Sequence, residues 1–377
     1  MPVQLKWPFL GIAIPCFLIS FTGYNAHYFI FSNYLSTQRQ VWFEFSLTMI
    51  WLSYYLAIYT PPGQPLPNFQ PAKDSWKNYC KKCRNYKPER AHHCKTCNQC
   101  VLAMDHHCPW TKNCVGYNNF PHFMRFLFWV IATTGYSLYE FCLRAYFILS
   151  NHNSPTYLWS KSELIFLTIV TPMDGFILLT ISILFIRCLS NQIFCGRTQI
   201  ETWEYERLEG LYYSRRLLPH LLANFWELYP EFRTREFEDE ASRLSTRKRI
   251  GFDDLVNFPY DIDPWSNAIE FLGSPLLWLW PFGKPSGNGM IFPKNDISEL
   301  EETNLTDMLL SLPWPPDGGK DKIISIDGSN AIETTVKDGE QVIRKRIVES
   351  RDPFSRSQWQ NTWGENLEHF GVDVDAE

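Results

Sequence analysis

The chain has 377 residues, a formal net charge of −5 and 16% aromatic residues. That mild acidity gives no sign of nucleic-acid binding, and the aromatic share is high for a soluble protein. The length would suit two or three soluble domains, but the apolar residues gather into four runs within the first 195 residues.

Pro8 to Phe31 is almost wholly apolar and follows a single Lys6. A secretory signal would have a stronger basic start, a shorter apolar core and a small-residue cleavage site. We read a first membrane helix, with Asn25 and His27 near its outer end and His27 interfacial or bundle-facing. Val41 to Tyr59 is the second span, with Trp and Tyr suited to the headgroup level. Thr60-Pro61-Pro62-Gly63 stops it, because proline lacks the amide donor and glycine permits a turn.

Cys80 to Cys114 follows, and it holds seven of the eleven cysteines and four of the nine histidines. The spacing is C-x2-C-x9-H-C-x2-C-x2-C-x4-D-H-H-C-x5-C. Short C-x2-C pairs bring two thiolates onto one tetrahedral Zn²⁺. Cys80, Cys83, Cys94, Cys97, Cys100 and Cys114, with one histidine of His92/His93 and one of His106/His107, make eight ligands, enough for two Cys3His sites. Cys108 is left over, in Asp105-His106-His107-Cys108. A thiol beside an imidazole, with a carboxylate to orient the ring, is the arrangement of an activated nucleophile. In an extended backbone, residues alternate faces. His107 can then face a zinc while His106 faces the Cys108 thiol, provided the backbone bends at Asp105.

Phe123 to Leu149 and Leu164 to about Arg187 are the third and fourth spans, each above the ~20 residues that cross ~30 Å of hydrocarbon. Glu140 and Arg144, four apart on one helical face, are expected to pair with each other. Asp174, two residues after Pro172, is expected to face the bundle interior, since a charge at that depth is costly. The loop from Pro61 to His122 carries nine Lys and Arg: Lys73, Lys77, Lys81, Lys82, Arg84, Lys87, Arg90, Lys95 and Lys112. The positive-inside rule then places this loop and both termini in the cytosol.

Beyond Gly196 the chain is polar. Trp203 to Trp226 suits an amphipathic helix, and Arg233 to Arg249 a solvated mixed-charge linker. Asn257 to Phe282 is too aromatic for a free tail and too broken for a span, so it should dock on the membrane surface or on the domain. No internal repeat is seen. The expected fold is an α-helical polytopic membrane protein. Its segments are 1–60 (spans 1 and 2), 61–122 (cysteine-rich), 123–195 (spans 3 and 4), 196–282 (membrane-proximal) and 283–377 (polar, largely disordered).

The cysteine stretch, with Pro109-Trp110 and Asn113-Cys114-Val115-Gly116 after it, resembles the cysteine-rich domain of the DHHC protein S-acyltransferases. Pro62-Gly63 is similar to a short motif of that family. Thr198-Gln199-Ile200-Glu201 resembles its Thr-Thr-x-Glu motif, with Gln199 in place of the second Thr. Tyr260-Asp261, Asn267 and Gly273 resemble its C-terminal aromatic-Asn motif, with Asp263 where Gly is common.

The resemblance spans about residues 8 to 280. It implies four transmembrane helices, a cytosolic domain, and transfer of a fatty acyl group from acyl-CoA to protein cysteines through an acyl-cysteine enzyme. Cys108 would be the nucleophile, His106 the base and Asp105 its orienter. One zinc would take Cys80, Cys83, His93 and Cys100, the other Cys94, Cys97, His107 and Cys114. Trp110, Phe123 and Phe126 would touch the acyl chain. The tail is similar to that of the fungal, endoplasmic-reticulum branch, whose known client is a chitin synthase. Membrane-associated proteins with cytosolic cysteines would be the substrates. The rival is a membrane-anchored zinc interaction module of RING-like type, but its spacing would end in a further C-x2-C pair and none follows Cys114.

Overall fold

The computed structural model describes residues 7–73, 75–155, 159–247, 250–299, 304–319, 332–337, 340–345 and 356–376. They divide into two bodies. One comprises Pro2–Thr202, Pro259–Asn295 and Phe370–Glu377, and the other Trp203–Phe258 and Asp296–His369.

The first body is a helical bundle joined to a small domain of hairpins. Helix α1 (Leu10–Ala26) runs through a π-helical turn, His27–Phe31, into the short α2 (Ser32–Tyr34). Helix α3 (Thr37–Tyr59) follows and ends at extended Thr60, since Pro61 disfavours a helical residue before it. Three antiparallel hairpins come next. They are β1 (Tyr79–Cys80) with β2 (Asn85–Tyr86), β3 (His92–Cys94) with β4 (Gln99–Val101), and β5 (His106–Cys108) with β6 (Asn113–Val115). Helix α4 (Phe120–Ser150) starts with Pro121 in its first turn, where no amide bond is lost. Helix α5 (Lys161–Cys188) is capped by the Ser160 hydroxyl, which accepts from the Glu163 amide, and passes into a π-helical turn, Leu189–Phe194.

Among the described residues, three helical stretches are long and apolar enough to cross a membrane: Thr37–Tyr59, Phe120–Ser150 and Lys161–Phe194. Phe31, Phe43, Phe141 and Val170 are buried together where the helices meet. Two ion pairs inside the bundle join neighbouring helices. The expected Glu140–Arg144 pair does not form. Arg144 binds Glu163 at 2.6 Å, and Glu140 meets Arg39 at 3.2 Å. Helical spacing brought the two residues to one face, but each reaches a different neighbouring helix. His27 lies 2.8 Å from Glu44. Asp174 is buried as expected, with 2% exposure.

Helix α6 (Gln199–Tyr213) begins in the first body and ends in the second. The second body adds α7 (Leu217–Leu228), α8 (Arg235–Thr246) and α10 (Leu305–Leu310), with the hairpin β7 (Ile332–Lys337) and β8 (Glu340–Lys345). Leu208, Leu221, Phe225, Leu305 and Met308 are its core. The expected helix over Trp203–Trp226 is two helices, broken where Arg215 takes a positive φ of 59°. The expected linker contains α8, because Ala241 and Leu244 face the core and Thr234 caps its start.

The expectation of a largely disordered 283–377 fails for residues 304–319 and 356–376. Leu305 and Leu309 are buried in the second body, and Val372 and Ala376 in the first. Residues 283–299 are described as well, with Phe292 buried in the first body, and 332–337 with 340–345 form the β7–β8 hairpin. The rest of that expectation lies outside the described residues. Asn257–Phe282 does dock. Helix α9 (Pro264–Leu272), capped by Asp263, packs in the first body, and Arg125 of α4 donates to the carbonyls of Leu277 and Trp278 at 3.1 and 2.7 Å.

Candidate functional site

The three hairpins share one plan. Cys80, Cys94 and Cys108 are fourteen residues apart, and each opens a hairpin turn. Arg84, Asn98 and Lys112, again fourteen apart, hold positive φ of 54°, 51° and 49°. The expectation of no internal repeat is thereby corrected: a fourteen-residue repeat is present, and it escapes the sequence because few residues besides cysteine and histidine recur in it.

In the first two turns the second thiol folds back: the amides of Cys83 and Cys97 donate to the sulfurs of Cys80 and Cys94, both at 3.3 Å. Across β3–β4, His93 stands opposite Cys100, and across β5–β6, His107 stands opposite Cys114. Each such strand pair faces the turn of the preceding hairpin. The two clusters are therefore Cys80, Cys83, His93 and Cys100, and Cys94, Cys97, His107 and Cys114, each with its ligand atoms within 4.8 Å of one another.

His93 Nδ1 lies 3.4, 3.3 and 3.7 Å from the sulfurs of Cys80, Cys83 and Cys100. His107 Nδ1 lies 3.7, 3.3 and 3.6 Å from those of Cys94, Cys97 and Cys114. Tetrahedral Zn²⁺ with bonds of ~2.3 Å to sulfur and ~2.0 Å to nitrogen sets such ligand atoms about 3.5–3.8 Å apart. The donor sets fit zinc, and interleaving follows from the hairpin order.

Strand alternation does the rest. With His107 turned to the second cluster, His106 and Cys108 face the other way. Asp105 lies just before the strand, and its Oδ2 accepts from His106 Nδ1 at 2.7 Å. This is the bend that alternation required. Asp105 Oδ1 accepts from the Gln192 side chain at 2.5 Å and from the Gln199 amide at 2.7 Å. Gln199 thus acts through its backbone, so the change of side chain from Thr leaves this contact intact. Gln192 had no sequence signal as a site residue. The π-helical turn at the end of α5 brings it inward, and Asn267 fixes that turn by donating to the Ile193 carbonyl at 3.1 Å.

Cys108 is 4% exposed and packs with Val115, Phe120, Phe123, Leu127, Cys188 and Phe271. Burial alone would push its thiol up. The hydrogen bond and positive charge of His106, with the Thr111 hydroxyl and the Trp110 amide, outweigh burial and hold it below its ordinary value. Burial opposes charge on His106 as well, but Asp105 and Cys108 overcome this and raise it to about 10. The pair favours thiolate and imidazolium.

Phe123 meets the His106 ring edge-on at 5.8 Å between centroids. Phe126 borders the same cluster and lies 4.8 Å from the Tyr54 ring, and the Tyr54 hydroxyl donates to the Trp110 carbonyl at 2.7 Å. The Trp110 residue is 36% exposed beside the thiol. Asn113 donates to the carbonyls of Thr60 and Ile58 at 2.9 and 3.1 Å, tying the Cys108 hairpin to the end of α3.

Arg90 joins the domain to the start of α6. It grips both Glu201 oxygens at 2.7 and 2.6 Å and donates to the Gly196 carbonyl at 2.7 Å. Its guanidinium lies 4.5 Å from the centre of the Tyr260 ring. From sequence, Arg90 was one topogenic charge among nine; its bidentate role has no local signature.

A buried thiol beside an imidazole, at the end of a helical bundle and on a domain with two zinc-type clusters, is an arrangement suited to acyl transfer through cysteine at a membrane. Comparison with known proteins agrees. The family model "DHHC palmitoyltransferase" matches residues 73–206. Over the full length of both chains, the sequence is 58% identical to Palmitoyltransferase PFA4 of Saccharomyces cerevisiae, 58% to that of Candida glabrata and 56% to that of Eremothecium gossypii. The chain belongs to the DHHC palmitoyltransferase family, and it is a protein S-acyltransferase.

Proposed function

We propose that the acyl group is carried on Cys108. The thiolate attacks the thioester carbonyl of palmitoyl-CoA, and the departing CoA thiolate takes the His106 proton. A client cysteine then gives its proton to His106, attacks the acyl-Cys108 thioester and releases the Cys108 thiolate. Asp105 fixes the ring and stabilises the imidazolium, as in the triad logic of hydrolases. The observation that carries this reading is the strand alternation that sends His107 to the metal cluster and aims His106 and Cys108 together on the other face.

Bound zinc would be held by the two Cys3His clusters and would fold a loop that has little core of its own. Trp110, Phe123 and Phe126 are the proposed acyl contacts, since they surround the thiol beside α3 and α4. Incubation of purified chain with palmitoyl-CoA should yield one acyl group that neutral hydroxylamine removes, and persistence of the label in Cys108→Ser would end the assignment.

The same reading holds four spans, with α1 and its continuation to Tyr34 as the first and both termini cytosolic. Its support is the Lys and Arg count of the loop from Pro61 to His122. An N-x-T acceptor inserted between α2 and α3 should be glycosylated in cells, whereas Asn304, the native acceptor, should stay unmodified. The proposed compartment is the endoplasmic reticulum. The proposed clients are membrane-associated proteins with cytosolic cysteines, a chitin synthase among them by analogy to the fungal branch.

A further inference from the structure

Phe370–Ala376 forms an outer edge of the zinc-type domain. Val372 bridges Cys94 in antiparallel fashion. The Lys95 amide donates to the Gly371 carbonyl at 2.9 Å, the Asp373 amide to the His93 carbonyl at 2.8 Å, and the Lys81 amide to the Ala376 carbonyl at 3.0 Å. In each of the first two turns, the residue after the leading cysteine therefore bonds to this one segment. Asp373 pairs with Lys82 across 291 residues of sequence. Ala376 packs on Cys80 and Cys100. Val372 and Ala376 are fully buried, and Asp373 is 2% exposed.

Gly371 makes the closest approach. Its φ is 88°, and an added Cβ would lie 2.6 Å from the Cβ of His107 and 3.7 Å from the Cys94 sulfur. Only glycine allows the segment to lie this close.

We propose that Phe370–Ala376 is the closing wall of both metal sites. Docked, it shields the cysteine sulfurs from competing ligands and braces the strand that carries His107 and Cys108. Undocked, it leaves both sites open. The groups around a metal's ligands control solvent access and ligand orientation, so this contact should set how fast metal leaves. The inference rests on the zinc reading and goes beyond acyl transfer.

The test begins with elemental analysis of the purified full chain. A zinc content other than two per chain would count against the zinc reading itself. With two zincs present, release into excess chelator is followed with a chromophoric zinc indicator. Gly371→Val should release zinc at least tenfold faster than wild type while its helical circular dichroism is unchanged. Asp373→Lys should also speed release, and adding Lys82→Asp to it should restore most of the delay. In case Gly371→Val does not fold, a protease site inserted at Gly364, where an added Cβ meets nothing within 4 Å, allows the segment to be cut after folding. A synthetic peptide of residues 366–377 should then slow zinc release from the cut protein. Wild-type release rates in Gly371→Val, or a cut protein that ignores the peptide, overturn the proposal.

Discussion

The first two hairpins and the third share a backbone plan and diverge in two side chains. Where Cys83 and Cys97 complete the C-x2-C turns, the third hairpin has Thr111. Where Lys81 and Lys95 give amides to the Phe370–Ala376 segment, it has Pro109, which has none. Cys108 therefore keeps the geometry of a turn cysteine without a second thiol beside it. Its neighbours are instead His106, Phe120 and Phe123. One scaffold thus carries two thiols in metal-type clusters and a third, proposed here as the nucleophile, and the difference lies in what surrounds the sulfur.

The largest effects should come from equivalent cysteines. Cys108→Ser should abolish the hydroxylamine-labile acyl label and leave two zincs per chain, because a neutral hydroxyl is a far poorer nucleophile than a thiolate. Cys94→Ser, at the same place one repeat earlier, should lose at least one zinc and destabilise the domain, since metal binding energy is folding energy there. Label and metal content measured on both variants should move in opposite ways. Loss of zinc from Cys108→Ser would erase the distinction between the hairpins.

A comparably severe change is expected at the joint between the domain and α6. Glu201→Ala would strand the buried Arg90 charge, at a cost of about 3–5 kcal/mol. Thermal unfolding in detergent should show a clear drop, and acylation should fall too, because Gln199 next to this joint holds Asp105. An unchanged melting temperature would show that the Arg90 grip is not structural.

The adjacent histidines of one strand face the two proposed sites, His106 the Cys108 thiol and His107 the second metal-type cluster. His106→Ala should slow acyl-enzyme formation by roughly 10²–10⁴-fold, the usual worth of a general acid–base group, with zinc retained. His107→Ala should shed zinc. The reverse pattern, read by metal analysis and single-turnover acylation, would mean that the faces of β5 are exchanged.

Much of this was legible in the sequence for identifiable reasons. Long apolar runs reveal spans because hydrocarbon thickness sets their length. The count of eight ligands and the six cysteines among them follow from spacing, and the facing of His106 and His107 follows from strand alternation, whereas the choice of His93 over His92 came only with the family resemblance. The pairing of clusters was not legible, since it depends on which hairpin packs on which. Glu140 and Arg144 misled because helical spacing ignores neighbouring helices, whose Arg39 and Glu163 took the charges. Gln192 was invisible because a π-helical turn aims it. Phe370–Ala376 was read as loose tail because it docks largely through backbone bonds, which have no periodic signature.

The smallest effect tests the contrast most directly, at Thr111 itself. The hydroxyl is buried, and it helps to hold the Cys108 thiol below its ordinary value. Thr111→Val keeps the shape and removes that donor. One hydrogen bond is worth about 0.5–1.5 kcal/mol, so acylation at neutral pH should slow by roughly two- to tenfold. The sign with pH follows. Acylation rises with pH as Cys108 ionises, and losing a donor to the thiolate raises its pKa, so the rise should shift to higher pH. Thr111→Ser should keep the wild-type profile. Zinc content should stay at two in both, since Thr111 is where the third hairpin has no ligand. A Thr111→Val profile that overlays wild type would leave His106 alone to account for the reactive thiol.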